Sequence, residues 1–198
     1  MQFDPANMSS RDTYHWMTRL INPRPIAWVA TISSQGVANL APFSFFNGVG
    51  AKPPTLLFCP ANKPDGSPKD TLVNIRQTGE FVVNVVTMPF AGQMHQTAAE
   101  LDYQIDEFEF ATVEKQDSLM VDVPRVANAA AAFECELMQV LSLEEGPGAA
   151  NVVIGRIVCF HVADELLNQD GSFDSSSLKT IGRMGDLEYA KTDNRFTL

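Results

Sequence analysis

Residues 133–162 read FECELMQVLSLEEGPGAANVVIGRIVCFHV. Two stretches of this segment alternate with a period of two, the pattern of half-buried strands. In Phe133–Leu143, residues Phe133, Cys135, Leu137, Leu141 and Leu143 fall on one face, with Glu134, Glu136 and Ser142 on the other. In Val152–Val162, residues Val152, Ile154, Val158, Phe160 and Val162 fall together. Between them, Glu144–Ala150 carries Gly146-Pro147-Gly148 and reads as a turn. The pattern predicts an antiparallel hairpin.

Working outward, more strands appear. Ile26–Ser33 (IAWVATIS) is rich in β-branched and aromatic residues, and Ser34-Gln35-Gly36 is a turn. Val37–Asn47 resumes as extended chain, with Pro42 expected at an edge or a bulge because proline donates no ladder hydrogen bond. Thr55–Cys59 and Glu80–Val86 are further strands. Helices are inserted among them. Asp12 or Thr13 can cap a short helix spanning about 13–21, which Pro23-Arg24-Pro25 must end. Asp70–Thr78 has helical spacing, Asp70 as a candidate N-cap and Gly79 just past its end. Met88–Leu101 is predicted helical, with Pro89 in its first turn. Asp102–Asn128 reads as loop with short pieces of structure, and the tail 171–198 as a short helix with a less regular end. The expectation is a single mainly β domain over 1–198: an antiparallel barrel with helical insertions, not a doubly wound parallel sheet.

Composition narrows the function. Fourteen Lys and Arg against 24 Asp and Glu give a net charge of −10, so no nucleic acid is expected as a partner, since that needs a dense basic face. The N-terminus has neither the basic nor the apolar region of a signal peptide, and no apolar run is long enough to span a bilayer; a cytoplasmic location without membrane contact follows as the expectation. The cysteines, Cys59, Cys135 and Cys159, are odd in number and lack CxxC spacing, which suits reduced, buried thiols. His15, His95 and His161 show no metal-ligand spacing to another His or Cys, so no metal site is expected. Gly48-Val49-Gly50 opens no helix, and neither a GxSxG elbow nor a Walker loop is present. No carboxylate pair marks acid–base work, and no side chain is singled out as catalytic.

What remains is ligand binding. Lys69-Asp70-Thr71 stands at a helix start behind a Gly/Pro loop, where a lysine, a hydroxyl and free N–H groups could cradle a phosphate. Asp70 would repel that phosphate unless its carboxylate is occupied as the cap. The alternative is an ordinary capped helix. Phe43-Ser44-Phe45-Phe46 reads as core and turn, or as the lining of a flat slot.

Taken in order, several segments resemble the flavin reductase-like, FMN-binding split-barrel family, nearer its flavoredoxin-like branch. They are Asn22-Pro23-Arg24-Pro25-Ile26-Ala27-Trp28-Val29-Ala30-Thr31, Gly36–Asn47, Pro53-Pro54, Lys69–Ile75, Gly79–Asn84, Phe133-Glu134-Cys135 and Val153–Ile157. The resemblance implies a Greek-key split barrel, a homodimer and one FMN per subunit near the dimer interface. It places Trp28 and Thr31 beside the flavin, and Asn39 on its polar edge or ribityl chain. It wraps Pro42, Phe43, Ser44 and Phe46 around the ring and ribityl phosphate, and sets Lys69, Asp70 and Thr71 on the phosphate. Gly182-Arg183-Met184-Gly185 with Tyr189 resembles a segment near the flavin, where Arg183 would help receive the nicotinamide of NADH or NADPH. The implied activity is hydride transfer from NAD(P)H to FMN, then electron transfer to an acceptor the sequence does not name. The alternative is a non-enzymatic FMN electron carrier. Some relatives carry a histidine in the turn before the last long strand; here Asn151 stands closest to that position. Cys59 has no redox partner to suggest a thiol role.

Overall fold

A computed structural model describes residues 1–198. In chain order the elements are α1 (Ser10–Leu20), β1 (Ala27–Ile32), β2 (Ala38–Phe43), β3 (Phe46–Ala51), β4 (Pro54–Phe58), α2 (Asp70–Thr78), β5 (Glu80–Val85), α3 (Ala91–Gln96), α4 (Glu107–Phe110), β6 (Lys115–Gln116), β7 (Arg125–Val126), β8 (Ala131–Ser142), β9 (Asn151–Val162), β10 (Ile181–Arg183) and β11 (Tyr189–Lys191). Seven strands form one sheet in the order β2-β1-β5-β8-β9-β4-β3, and every pairing is antiparallel. The expected mainly β, antiparallel split barrel is what the chain builds. No helix is long and apolar enough to cross a membrane.

The sheet rolls because its residues pack on two sides. Ala27 and Val29 of β1 join Leu56, Phe58, Leu72, Ile75, Phe81, Val83 and Val153 in one buried cluster. Strands β1 and β4 lie far apart in the strand order, so the core they share with Leu72 and Ile75 of α2 shows the sheet curling around that helix. Phe43, Phe58 and Phe81 stack along this axis at 5.1 and 5.5 Å between centroids. Gly155 makes that stack possible: a Cβ there would lie 2.8 Å from Phe81 Cε1. The opposite pleat of β1, Trp28 and Ala30, packs with Leu40, Val82, Met94, Phe108 and Val126 under the α3–β7 segment. Burial on both faces explains why β1 reads as a continuous apolar run rather than an alternating one.

Several local expectations change. Helix α1 starts three residues earlier than predicted, because Ser9 rather than Asp12 or Thr13 caps it, accepting from the Asp12 N–H at 3.1 Å. Val37–Asn47 breaks at Ser44-Phe45 into two strands, and Pro42 does lie on an edge strand. The Met88–Leu101 helix shortens to a 3₁₀ turn, Met88–Phe90, and α3. The tail holds the β10–β11 pair rather than a helix. The β8–β9 hairpin forms, but its faces are not those of simple alternation. Register shifts between Glu134 and Cys135, and between Leu137 and Gln139, exchange the pleat. Glu134 is therefore buried while Leu141, Leu143, Phe160 and Val162 are exposed.

Candidate functional site

Helix α2 begins where the loop after β4 delivers Lys69. That residue is the N-cap, with extended backbone at φ −61° and ψ 150°, and no side chain caps the helix. Asp70 is the first helical residue, not the cap its side chain suggests. Its carboxylate is engaged instead by Lys63 Nζ at 2.7 Å. The acid that would repel an anion is thus neutralised by an ion pair. Lys69 Nζ reaches Glu100 at 2.9 Å across the opening.

Beneath this opening lies a buried polar network. Thr71 Oγ1 donates to Asn39 Oδ1 at 2.8 Å, and Thr31 Oγ1 donates to the same oxygen at 3.2 Å. Asn39 Nδ2 donates to Glu107 Oε1 at 2.8 Å, and the Leu40 N–H donates to Glu107 Oε2 at 3.1 Å. Asn74 Nδ2 donates to Thr31 Oγ1 at 3.0 Å, and Tyr103 donates to Asn74 Oδ1 at 2.7 Å. Burial raises the Glu107 carboxyl above its ordinary range, although the Asn39 and Leu40 donors pull the other way. Because each group is already paired, the asparagine presents one fixed face.

Two cavities adjoin across Pro42, Phe43 and Ala98. The smaller, 90 Å³, is polar and is lined by Asn39, Lys63, Lys69, Asp70, Thr71 and Glu107 among others. The larger, 250 Å³, is bounded by Tyr14, Ser44, His95, Arg183 and Tyr189. Together they reach the low end of the ~300–1,000 Å³ usual for small-molecule sites. Arg183 lies over the Tyr189 ring at 4.6 Å and bonds the Tyr189 hydroxyl and the Asp186 carbonyl. Behind the wall, buried Arg24 donates to Ser44 Oγ at 3.2 Å, Ile21 O at 2.7 Å, Met184 O at 2.7 Å and the Thr18 carbonyl. One guanidinium thereby ties α1, the β2–β3 turn and the tail into a single wall.

Of the residues marked from sequence, Asn39, Pro42, Phe43, Ser44, Lys69, Asp70, Thr71 and Arg183 converge on these cavities. Trp28 and Thr31 do not line them; both are buried on β1. They support the site from behind, Trp28 Nε1 donating to Thr97 Oγ1 at 2.9 Å and Thr31 through Asn39. Phe46 points elsewhere. Beyond the Ser44-Phe45 turn it opens β3 and pairs with Phe58, and it lines a separate 460 Å³ apolar cavity with Leu56, Phe133, Ile157 and Phe160. Asn151 lines neither site cavity: it is buried against Pro60 O and against Oδ1 of Asn62, next in sequence to Lys63. Lys63, Glu100, Glu107, Tyr14, His95 and Arg24 complete the site and were not marked. Only Arg24 had a local hint, a cation fixed between two prolines.

The family model for the Flavin reductase like domain matches residues 17–177. An uncharacterized protein of Halalkalibacterium halodurans is 37% identical over 200 residues, covering 100% of this chain and 95% of its own length. Nitrilotriacetate monooxygenase component B from Bacillus cereus has a similar structure, with a TM-score of 0.94 at 35% identity over 100% of this chain and 98% of that one. The 2-nitrobenzoate 2-nitroreductase of Pseudomonas fluorescens follows at TM-score 0.90 and 29% identity, over 100% and 95%. With most of its length matched and its strand order built as a rolled antiparallel sheet, this chain belongs to the flavin reductase-like family of split-barrel proteins.

Proposed function

We propose that this protein is an FMN-dependent oxidoreductase that takes hydride from NADH or NADPH and passes electrons to an acceptor. The observation that carries this reading is the pair of adjoining cavities, polar with two lysines at the start of α2 and aromatic at the Tyr14–Tyr189 end. FMN would supply the hydride-accepting chemistry, as flavins do.

The residues present fit such a ligand. Lys63, Lys69 and the first N–H groups of α2 offer an anion site, which the helix dipole favours. Of the three carboxylates there, Asp70 is paired with Lys63 and Glu107 is shifted toward its uncharged form by burial. Pro42 and Phe43 form the shared wall against which a flat ring would lie. Asn39, locked by Glu107, Thr71 and Thr31, would present a fixed polar group to a ribityl chain. Arg183 and Tyr189, already stacked, would orient the nicotinamide donor. No side chain need act as acid or base for hydride transfer; alignment and exclusion of water are the protein's part. The two redox-named relatives, a monooxygenase component and a nitroreductase, favour this class.

A second copy would cover the apolar 460 Å³ cavity and the exposed Phe160, giving a homodimer in the cytoplasm. The decisive test is the absorption spectrum of purified protein before and after anaerobic NADH or NADPH. A yellow protein that bleaches supports the enzyme. Bound flavin that neither nucleotide reduces points to the electron carrier. A colourless protein whose melting temperature does not move with added FMN refutes both.

A further inference from the structure

A second cluster lies apart from the cavities and shares no residue with them. Cys159 and His161 are two positions apart on β9, so they face the same way, and Glu134 of β8 is the direct cross-strand partner of Cys159. This C-x-H spacing is a ligand pair on a strand, which a search for loop or helix spacings passes over. Glu134 is fully buried, and its carboxylate accepts from the N–H groups of Leu119 at 2.8 Å, Met120 at 2.6 Å and Val121 at 3.2 Å. His161 Nε2 lies against Glu134 Oε1 and 3.8 Å from Cys159 Sγ. The three ligand atoms all lie within 4.8 Å of one another.

We propose that Glu134, Cys159 and His161 bind a divalent ion of the zinc class, with a fourth position left for water. Tetrahedral zinc with ordinary bond lengths holds a thiolate sulfur and an imidazole nitrogen about 3.6 Å apart. The observed 3.8 Å needs little adjustment, whereas the direct His161 Nε2–Glu134 Oε1 hydrogen bond has to open to about 3.3 Å, with the imidazole proton moved to Nδ1, for both atoms to face one ion. One thiolate, one imidazole and one carboxylate form the mixed donor set that borderline divalent ions prefer over Mg²⁺ or Ca²⁺. Charge also balances: the carboxylate and the thiolate cancel the ion's two positive charges, and the thiol proton leaves to solvent.

A second observation points the same way. Arg125 Nε is buried without any acceptor, and Arg125 lines the same cavity as His161. A thiolate at Cys159 would give that orphaned region a nearby anion, as outer-shell donors do around metal-bound sulfur. Access runs through a 360 Å³ cavity lined by Gln116, Arg125, Asn128, His161 and Asp164.

The test uses full-length protein freed of metal and titrated with Co²⁺, a spectroscopic stand-in for zinc. One Co²⁺ per chain, with a thiolate-to-cobalt charge-transfer band and intense tetrahedral d–d bands that Zn²⁺ abolishes, is the expected result. Cys159→Ser should remove the charge-transfer band, and His161→Ala should weaken Co²⁺ binding by on the order of tenfold or more. Cys59→Ser should leave both unchanged. X-ray absorption on wild-type protein loaded with one Zn²⁺ needs no variant and should count one sulfur. Absence of the band in wild-type protein, its survival in Cys159→Ser, or a zinc shell without sulfur overturns the assignment.

Discussion

Replacing Lys69 by alanine isolates the contribution of the α2 opening to anion binding. In the free protein Lys69 is held by Glu100 at 2.9 Å, and both side chains are partly exposed. Such surface pairs contribute only about 0–1 kcal/mol. A hydrogen bond from the ammonium to a phosphate contributes about 1.5–3 kcal/mol. Binding exchanges the first for the second, so Lys69→Ala should cost about 1–2 kcal/mol, or roughly 5- to 30-fold in Kd. The loss is not total, because Lys63 remains at the same opening. Glu100→Gln should act in reverse, releasing Lys69 and tightening binding by up to about fivefold. The assay is titration of flavin fluorescence at fixed ionic strength, with FMN and with riboflavin, which lacks the phosphate. Lys69→Ala should weaken FMN and leave riboflavin nearly unchanged. Equal losses for both flavins, or none for either, would show that the phosphate does not lie at α2.

Gly155→Ala forces a methyl into the Phe81 ring and should cost about 1–3 kcal/mol, lowering the melting temperature by roughly 2–12 °C; combining it with Phe81→Leu should recover part of that loss, and strict additivity would contradict the clash. Glu107 holds its proton in the folded chain above its ordinary value of 4.5, where the unfolded chain has released it. Its contribution is therefore present below 4.5 and lost as pH rises through the raised value, so the unfolding free energy of wild type minus that of Glu107→Gln should slope downward above 4.5; a flat difference in urea titrations would count against the shift. Arg24→Lys cannot reproduce four hydrogen bonds from one buried guanidinium and should cost about 3 kcal/mol, read from the urea midpoint; an unchanged midpoint would mean the wall does not depend on Arg24.

The strands were legible where a short run of β-branched and aromatic residues is buried, as in Ala27–Ile32 and Glu80–Val85. They were misread where the ladder slips. The two register shifts in β8 and β9 exchange inside for outside, so Glu134 falls on the polar face of the sequence pattern and in the interior of the fold. Lys69, Asp70 and Thr71 line one cavity, and the sequence offered them together because they are contiguous at one helix start. Glu107, which fixes Asn39 from 68 positions away, leaves no local trace. Trp28 and Thr31 were placed on the right strand, but they stand behind the cavities because both faces of that strand are covered, as its continuous apolar run reflects. Phe46 looked continuous with Phe43, and only the turn at Ser44-Phe45 parts them.

Arg24 reaches across 160 positions to the carbonyl of Met184. On the ribosome, the first of these residues emerges long before the second has been made. Until the last part of the chain appears, the guanidinium lacks one of its acceptors, and the Arg183–Tyr189 side of the larger cavity does not exist. Cofactor capture should accordingly be a post-translational event, and messages truncated before residue 184 should yield products that quality control removes rather than partially active fragments.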